Sequence, residues 1–222
     1  MTQGIFITGT DTNVGKTYVA TGIAAALGCR GVDVGVMKPV ETGCTRRAGR
    51  LVPRDALRLM KAAKVRDSIE LVVPYRFRKP LAPSIAAERE GERINPARIC
   101  DAFNILSKKH DFLIVEGAGG IMVPLTENYS YLDLAKALGL QVLIVARPGL
   151  GTINHTLLTI AALRQRRIAI AGVIINYAED CKLGLAEKTN PAAIKKISGV
   201  RIAGIVSYGS CSFDGLLNGL TK

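Results

Sequence analysis

The chain is 222 residues long, 48% hydrophobic and carries a net charge of +12. That length favours one domain with a sizeable core, and that apolar content excludes a disordered chain. No apolar run approaches the ~18 residues of a membrane helix, and Met1-Thr2-Gln3-Gly4 offers no basic, then apolar, leader, so a cytoplasmic protein is expected.

The basic residues are scattered, aromatics make up 5%, and no nucleic-acid motif accompanies them. The charge therefore suits small anions such as ATP and carboxylates better than DNA or RNA. Cys29, Cys44, Cys100, Cys181 and Cys211 are too widely spaced for a zinc or disulfide framework and read as separate reduced thiols.

Ile5-Phe6-Ile7 reads as a buried strand and Tyr18–Leu27 as a helix. Between them runs Gly9-Thr10-Asp11-Thr12-Asn13-Val14-Gly15-Lys16-Thr17. A strand, a polar turn, Gly-Lys-Thr and a helix are the context of a phosphate-binding loop. Unpaired N–H groups at the helix start converge on one point, where the helix dipole adds positive charge. Gly15 lets the backbone approach an anion, Lys16 would reach the β- and γ-phosphates, and the Thr17 hydroxyl would ligate Mg²⁺. Thr10 stands where the usual spacing has glycine, Gly9 being one place early, so an ordinary helix start is the alternative.

Alternating valines make Val32–Val40 a strand, ended by Pro39. Lys38 at its carboxyl end lies at the ligand-binding edge of an open α/β sheet, or is simply solvated there. Thr42–Arg50 reads as a polar, basic loop, within which Arg46, Arg47 and Arg50 are candidates for a lid. Asp55–Ala63 is helical, with Asp55 either its N-cap or a second carboxylate for a metal. Ile69–Val73 is a short apolar run, and Pro74, Pro80 and Pro83 shape the connection to a helix start at Pro83–Glu88. Asn95–Lys109 is a helix with Asn95 as N-cap and Pro96 at its first position.

Asp111–Gly120 holds four apolar residues, then Glu116-Gly117-Ala118-Gly119-Gly120. An acid at such a strand tip can hold Mg²⁺ opposite a phosphate loop, and the small residues admit a ligand to the backbone. Tyr131–Leu138 is a helix and Val142–Ala146 a buried strand. Gly149–His155 opens a helix over Thr156–Gln165 and offers a second anion site. His155 in that first turn reads as a hydrogen-bonded structural residue more readily than as an acid or base. Ala169–Asn176 is a strand ending in an amide that could read a nucleobase edge. Helices over Cys181–Thr189 and Pro191–Ile197 and a strand over Arg201–Val206 complete the chain. The alternation predicts one α/β domain over 1–222, a mostly parallel sheet with helices on both faces.

Taken together, Thr10–Thr17, Lys38-Pro39-Val40, Asp55, Pro74-Tyr75 with Pro83-Ser84, Glu116–Gly120, Ile153-Asn154-His155 and Asn176 resemble the dethiobiotin synthetases of biotin synthesis, a family of P-loop NTPase-like fold. The resemblance implies that 7,8-diaminononanoate is carboxylated by CO₂ and its carbamate phosphorylated by ATP. The second amine then closes a cyclic urea, releasing ADP and phosphate. It implies Lys16, Lys38 and Thr12 as catalytic residues. Thr10, Asp11, Asn13, Val14, Gly15, Lys16, Thr17 and Tyr18 would hold the phosphates, and Asn176 would read adenine. Thr17, Asp55 and Glu116 would hold Mg²⁺. Thr42, Gly117, Ala118 and Gly119 would meet the diamine, and Gly151 and Asn154 its carboxylate tail across a homodimer.

The chain departs from that family at Asn13, where an acid is common, at Arg147-Pro148, and at Gly204-Ile205-Val206, where proline usually follows glycine. Two other functions share the fold. A partitioning-type ATPase switch uses a second lysine where this chain has Asp11. A related amide-forming ligase of other substrate differs only in what its loops recognise.

Overall fold

In the computed structural model, which describes residues 3–180 and 183–217, the alternation of apolar residues along each strand builds two cores on opposite faces of one sheet. The first half runs β1 (Gln3–Gly9), α1 (Lys16–Cys29), β2 (Val34–Met37), β3 (Val40–Glu41), β4 (Thr45–Arg47), β5 (Arg50–Val52), α2 (Arg54–Ala63), α3 (Ile69–Val72), β6 (Tyr75–Arg76), α4 (Pro83–Arg89) and α5 (Pro96–Ser107). The second runs β7 (Phe112–Gly120), β8 (Pro124–Thr126), β9 (Tyr129–Ser130), α6 (Tyr131–Leu138), β10 (Gln141–Ala146), α7 (Thr152–Gln165), β11 (Ile170–Asn176), α8 (Leu185–Ser198) and β12 (Ile202–Val206), then a 3₁₀ turn at Asp214–Leu217.

Six strands form the main sheet in the order β12-β11-β10-β1-β7-β2, every pairing parallel. Side chains of a strand alternate between faces. Ile5 and Ile7 therefore join Phe112, Ile114, Leu143 and Val145 under α1 and α2, while Phe6 joins Leu113, Val115, Val142 and Ile144 under α5, α6 and α7. Each such side chain, fully buried, contributes about 1.5–3 kcal/mol. A parallel sheet covered on both faces carries its loops at the carboxyl edge, where ligands of such folds bind.

Several element boundaries differ from the sequence reading. Pro39 divides the 32–40 stretch into β2 and β3, because a residue without an N–H cannot continue a ladder; β3 pairs with β6 outside the main sheet. The basic stretch 42–50 is no plain loop: β4 and β5 form an antiparallel hairpin turned by Ala48 and Gly49 at φ 47 and 79. Strand β7 runs on through Gly120, so Glu116 is inside the strand rather than at its tip. Helix α7 starts four residues early, at Thr152, behind a left-handed Gly151 at φ 85. The two helices expected around residue 190 are one, with Pro191 inside α8; Cys181 lies outside the described residues. Asn95 caps α5 as expected, accepting from the N–H of Ala97 at 2.9 Å.

Candidate active site

The carboxyl edge of β1, β2 and β7 opens into a cleft of about 430 Å³ lined by the phosphate loop, Lys38, Thr42, Asp55 and Glu116. Each wall has a local cause. The loop between β1 and α1 turns through Asn13 at φ 57 and Gly15 at φ 86. Asparagine tolerates that left-handed region better than most residues, which accounts for its place here. Gly15 is doubly constrained, since a Cβ on it would stand 2.1 Å from the Asn176 side-chain nitrogen.

Lys16 folds back over the loop, its Nζ donating to the Asp11 carbonyl at 3.1 Å. Burial, and then the nearby Lys38 charge, pull its pKa down to about 8. Lys38 follows β2, and its N–H donates to the Val72 carbonyl at 2.8 Å. Its ammonium meets Glu116 Oε1 at 2.6 Å and Asp55 Oδ2 at 3.4 Å. Burial alone would lower the Lys38 pKa, but Glu116 and Asp55 outweigh it and hold the group above the ordinary lysine range.

Glu116 is fully buried. Its Oε1 also accepts from the Thr17 hydroxyl at 2.7 Å, so one oxygen joins the phosphate loop to the second lysine. Its Oε2 is buried with no partner among the described residues. Asp55 is the second residue of α2, not its cap. The cap is Glu41, whose two carboxylate oxygens accept the N–H groups of Asp55 and Ala56, each at 3.0 Å. Burial raises the Glu41 pKa against the lowering effect of those two hydrogen bonds.

Thr12, Asn13, Gly15, Lys16, Thr17, Tyr18, Lys38, Thr42, Asp55, Glu116, Ala118 and Gly119 thus share one cleft. Other expected residues stand around it. Val14 is buried behind the loop, Thr10 donates its N–H to Val145, and Asp11 Oδ1 accepts from the Thr12 N–H at 2.7 Å. Gly117 rests against the Phe6 ring. Asn176 lies beneath the loop, its Nδ2 donating to the Val14 carbonyl at 2.9 Å, while its buried Oδ1 has no partner among the described residues. Gly151 and Asn154 are exposed at the start of α7, away from the cleft lining. His155 Nδ1 is buried and unpaired among the described residues.

Two residues lining the cleft, Glu41 and Arg58, were missed in the sequence. Glu41 follows the Lys38-Pro39-Val40 motif too closely to signal a role of its own. Arg58 stands one helical turn past Asp55, a spacing that could have revealed it. The hairpin arginines do not line the cleft; Arg46 instead donates to Gly49 and faces a separate hollow with Leu51, Arg78, Lys79 and Glu90.

A family profile described as an AAA domain matches residues 3–210. A protein of Thermodesulfovibrio yellowstonii named ATP-dependent dethiobiotin synthetase BioD is 45% identical over 215 residues, covering 94% of this chain and 90% of its own. This chain belongs to the dethiobiotin synthetase family. A synthetase of the same name from Methanocaldococcus jannaschii is 44% identical, with 91% of this chain and 92% of that one covered. Solved structures of a ParA family ATPase from Chlorobium tepidum and of the cell division ATPase MinD of Pyrococcus furiosus superpose with TM-scores of 0.56 at 16% and 18% identity. Each covers 99% of this chain and 89% of its own, and at that identity they share the fold alone. Asn13 sits on the exposed face of the loop and lines the cleft.

Proposed function

We propose that this chain, as a single domain, is an ATP-dependent dethiobiotin synthetase acting on 7,8-diaminononanoate and CO₂. The observation that carries the reading is the meeting of Thr17 and Lys38 on one oxygen of Glu116, within the cleft that Lys16 and Asp55 complete.

In the first step an amine of the diamine attacks CO₂, forming an N–C bond and giving up a proton. A carbamate oxygen then attacks the γ-phosphorus of ATP; the new O–P bond forms as the β–γ bridging bond breaks and ADP leaves. Finally the second amine attacks the carbamoyl carbon, the C–O bond to phosphate breaks, and phosphate and a proton depart as the urea ring closes. Phosphoryl transfer asks for positioning and charge neutralisation more than covalent help. Lys16 serves the β- and γ-phosphate oxygens from the loop. Lys38 faces it across the cleft and bridges carbamate and γ-phosphate. Thr12 and Thr42 hydrogen-bond the reacting groups, and the Gly117–Gly119 backbone bounds the diamine.

The donor set Thr17, Asp55 and Glu116 is all oxygen, and the orphaned Oε2 of Glu116 fits a hard divalent cation, so these residues would hold Mg²⁺. When bound, the ion supplies positive charge to the phosphoryl oxygens. For the base, Asn176 has Nδ2 committed to the loop, which leaves Oδ1 to accept from the exocyclic amine of adenine. Gly151 and Asn154 stand away from the cleft beside the exposed Leu150 and Leu158, which supports a homodimer presenting them to a partner's substrate tail. No helix among the described residues is long and apolar enough to cross a membrane, and a cytoplasmic location goes with the reading.

The deciding experiment measures phosphate release from ATP with Mg²⁺ and bicarbonate, with and without 7,8-diaminononanoate. Strong stimulation by the diamine, lost without bicarbonate, is expected. Nucleotide binding without stimulation would overturn the substrate and leave a ligase or switch of the same fold.

A further inference from the structure

Arg58 has no part in the reaction as described so far, yet it lines the cleft. It is reached by an unbroken path of contacts from the phosphate loop. Thr17 and Lys38 meet at Glu116, Lys38 lies 3.4 Å from Asp55 Oδ2, and Asp55 Oδ1 lies 3.7 Å from a guanidinium nitrogen of Arg58.

The charges lining the cleft are balanced: Lys16, Lys38 and Arg58 against Glu41, Asp55 and Glu116. They are not equally free. Glu41 is occupied as the cap of α2, and Lys38 and Glu116 are a buried pair. Lys16 is buried and folded onto the Asp11 carbonyl. Arg58 is different. Its side chain is 71% exposed and its ion pair with Asp55 is longer than a hydrogen bond. A triphosphate or carbamate needs a cation that can turn toward it, and Arg58, exposed where Lys16 and Lys38 are buried, can do so without breaking a buried contact. A guanidinium also matches the oxygens of a phosphoryl or carboxylate group two at a time.

We propose that Arg58 is an anion-binding residue of the active site, which leaves Asp55 and forks onto an oxyanion at the outer wall of the cleft, the terminal phosphoryl group or the carbamate. The move also frees Asp55 for the metal-holding role. The inference rests on the synthetase reading for the carbamate and on the phosphate loop alone for the phosphoryl group.

The test compares the wild type with Arg58→Ala and Arg58→Lys. Equilibrium binding of ADP and of the β,γ-imido analogue of ATP is measured with Mg²⁺, without turnover, alongside the KM for the diamine. If the phosphoryl group is the partner, Arg58→Ala weakens the triphosphate analogue about tenfold more than ADP. If the carbamate is the partner, the analogue binds normally and the diamine KM rises about tenfold. Arg58→Lys, which keeps the charge without the fork, retains part of the effect. An unchanged ratio of ADP to analogue affinity together with an unchanged diamine KM overturns the proposal. Failure of the synthetase reading would show separately, as wild-type phosphate release indifferent to the diamine.

Discussion

The side-chain amide of Asn176 donates to the carbonyl of Val14 at 2.9 Å and so props the phosphate loop from the end of β11, a strand two places away from β1 in the sheet. The space under the loop is consequently full. In Gly15→Ala the new methyl group would meet Asn176 Nδ2 and the backbone would hold an L-residue at φ 86. The backbone part costs about 1–3 kcal/mol. Denaturant unfolding should show Gly15→Ala destabilised, and the same substitution made in an Asn176→Ala background, measured against Asn176→Ala alone, should cost only the backbone share.

Lys16 makes nucleotide affinity depend on pH. Its pKa in the free protein is about 8, and phosphate oxygens bind the protonated form, raising that value in the complex. Affinity should therefore be flat below pH 7 and fall as pH rises through 8, with protons taken up on binding in that range. Calorimetry in buffers of different ionisation enthalpy measures the uptake directly. Lys16→Gln should abolish it and lower kcat by about 10²–10³-fold. Stability should not suffer at neutral pH, because the wild-type ammonium is buried at a desolvation cost.

Lys38 and Glu116 illustrate how a site opposes stability. With side-chain exposures of 5% and 1%, neither charge has water to replace its partner. Glu116→Gln leaves a buried ammonium with only Asp55 and should destabilise the fold by about 3 kcal/mol. Lys38→Met combined with Glu116→Leu removes both charges and should return much of that stability while remaining inactive. Thermal or urea unfolding of the three proteins, beside phosphate-release assays, separates the two effects.

A second charged cluster lies outside the cleft lining, beside the amino ends of β2 and β7. His110 packs its ring over Gly35 and bonds Asp33 at 3.0 Å and Asp67 at 2.8 Å, with Lys109 also 3.3 Å from Asp67. Burial lowers the imidazole pKa, but the two carboxylates outweigh it and the net shift is upward. A raised folded-state value means that His110 adds its full stability below about pH 6.5 and loses it as pH rises through the folded-state pKa. Urea midpoints across pH 5.5–8.5 should fall with pH in the wild type and flatten in His110→Gln.

Much of the sheet and the chief site residues were legible because their signals are local. Ile5-Phe6-Ile7 and Phe112–Val115 announce buried parallel strands by unbroken apolar runs, and Gly15-Lys16-Thr17 announces its loop by spacing. Glu116 was found by its place after such a run, although β7 continues past it on residues small enough to stay in the ladder. What was hidden depends on contacts distant in sequence. The β4–β5 hairpin lacks apolar alternation, since all three β4 residues, Thr45, Arg46 and Arg47, are exposed. Glu41 as the cap of α2 requires residues 14 and 15 positions apart to meet. Asn176 beneath the loop spans 162 positions, and no period or propensity encodes that distance.

Position 116 falls in step with Phe112 and Ile114, four places and two places before it on the same face of β7, both packed beneath α1. By the rhythm of the strand it is a slot for an aliphatic side chain. Replacing the acid alone by such a residue would silence the site and strand the buried Lys38 ammonium; only losing Lys38 with it would suit the interior. The acid and the lysine are therefore tied as a pair: a chain released from catalysis would gain by losing both together and would lose by shedding either one first.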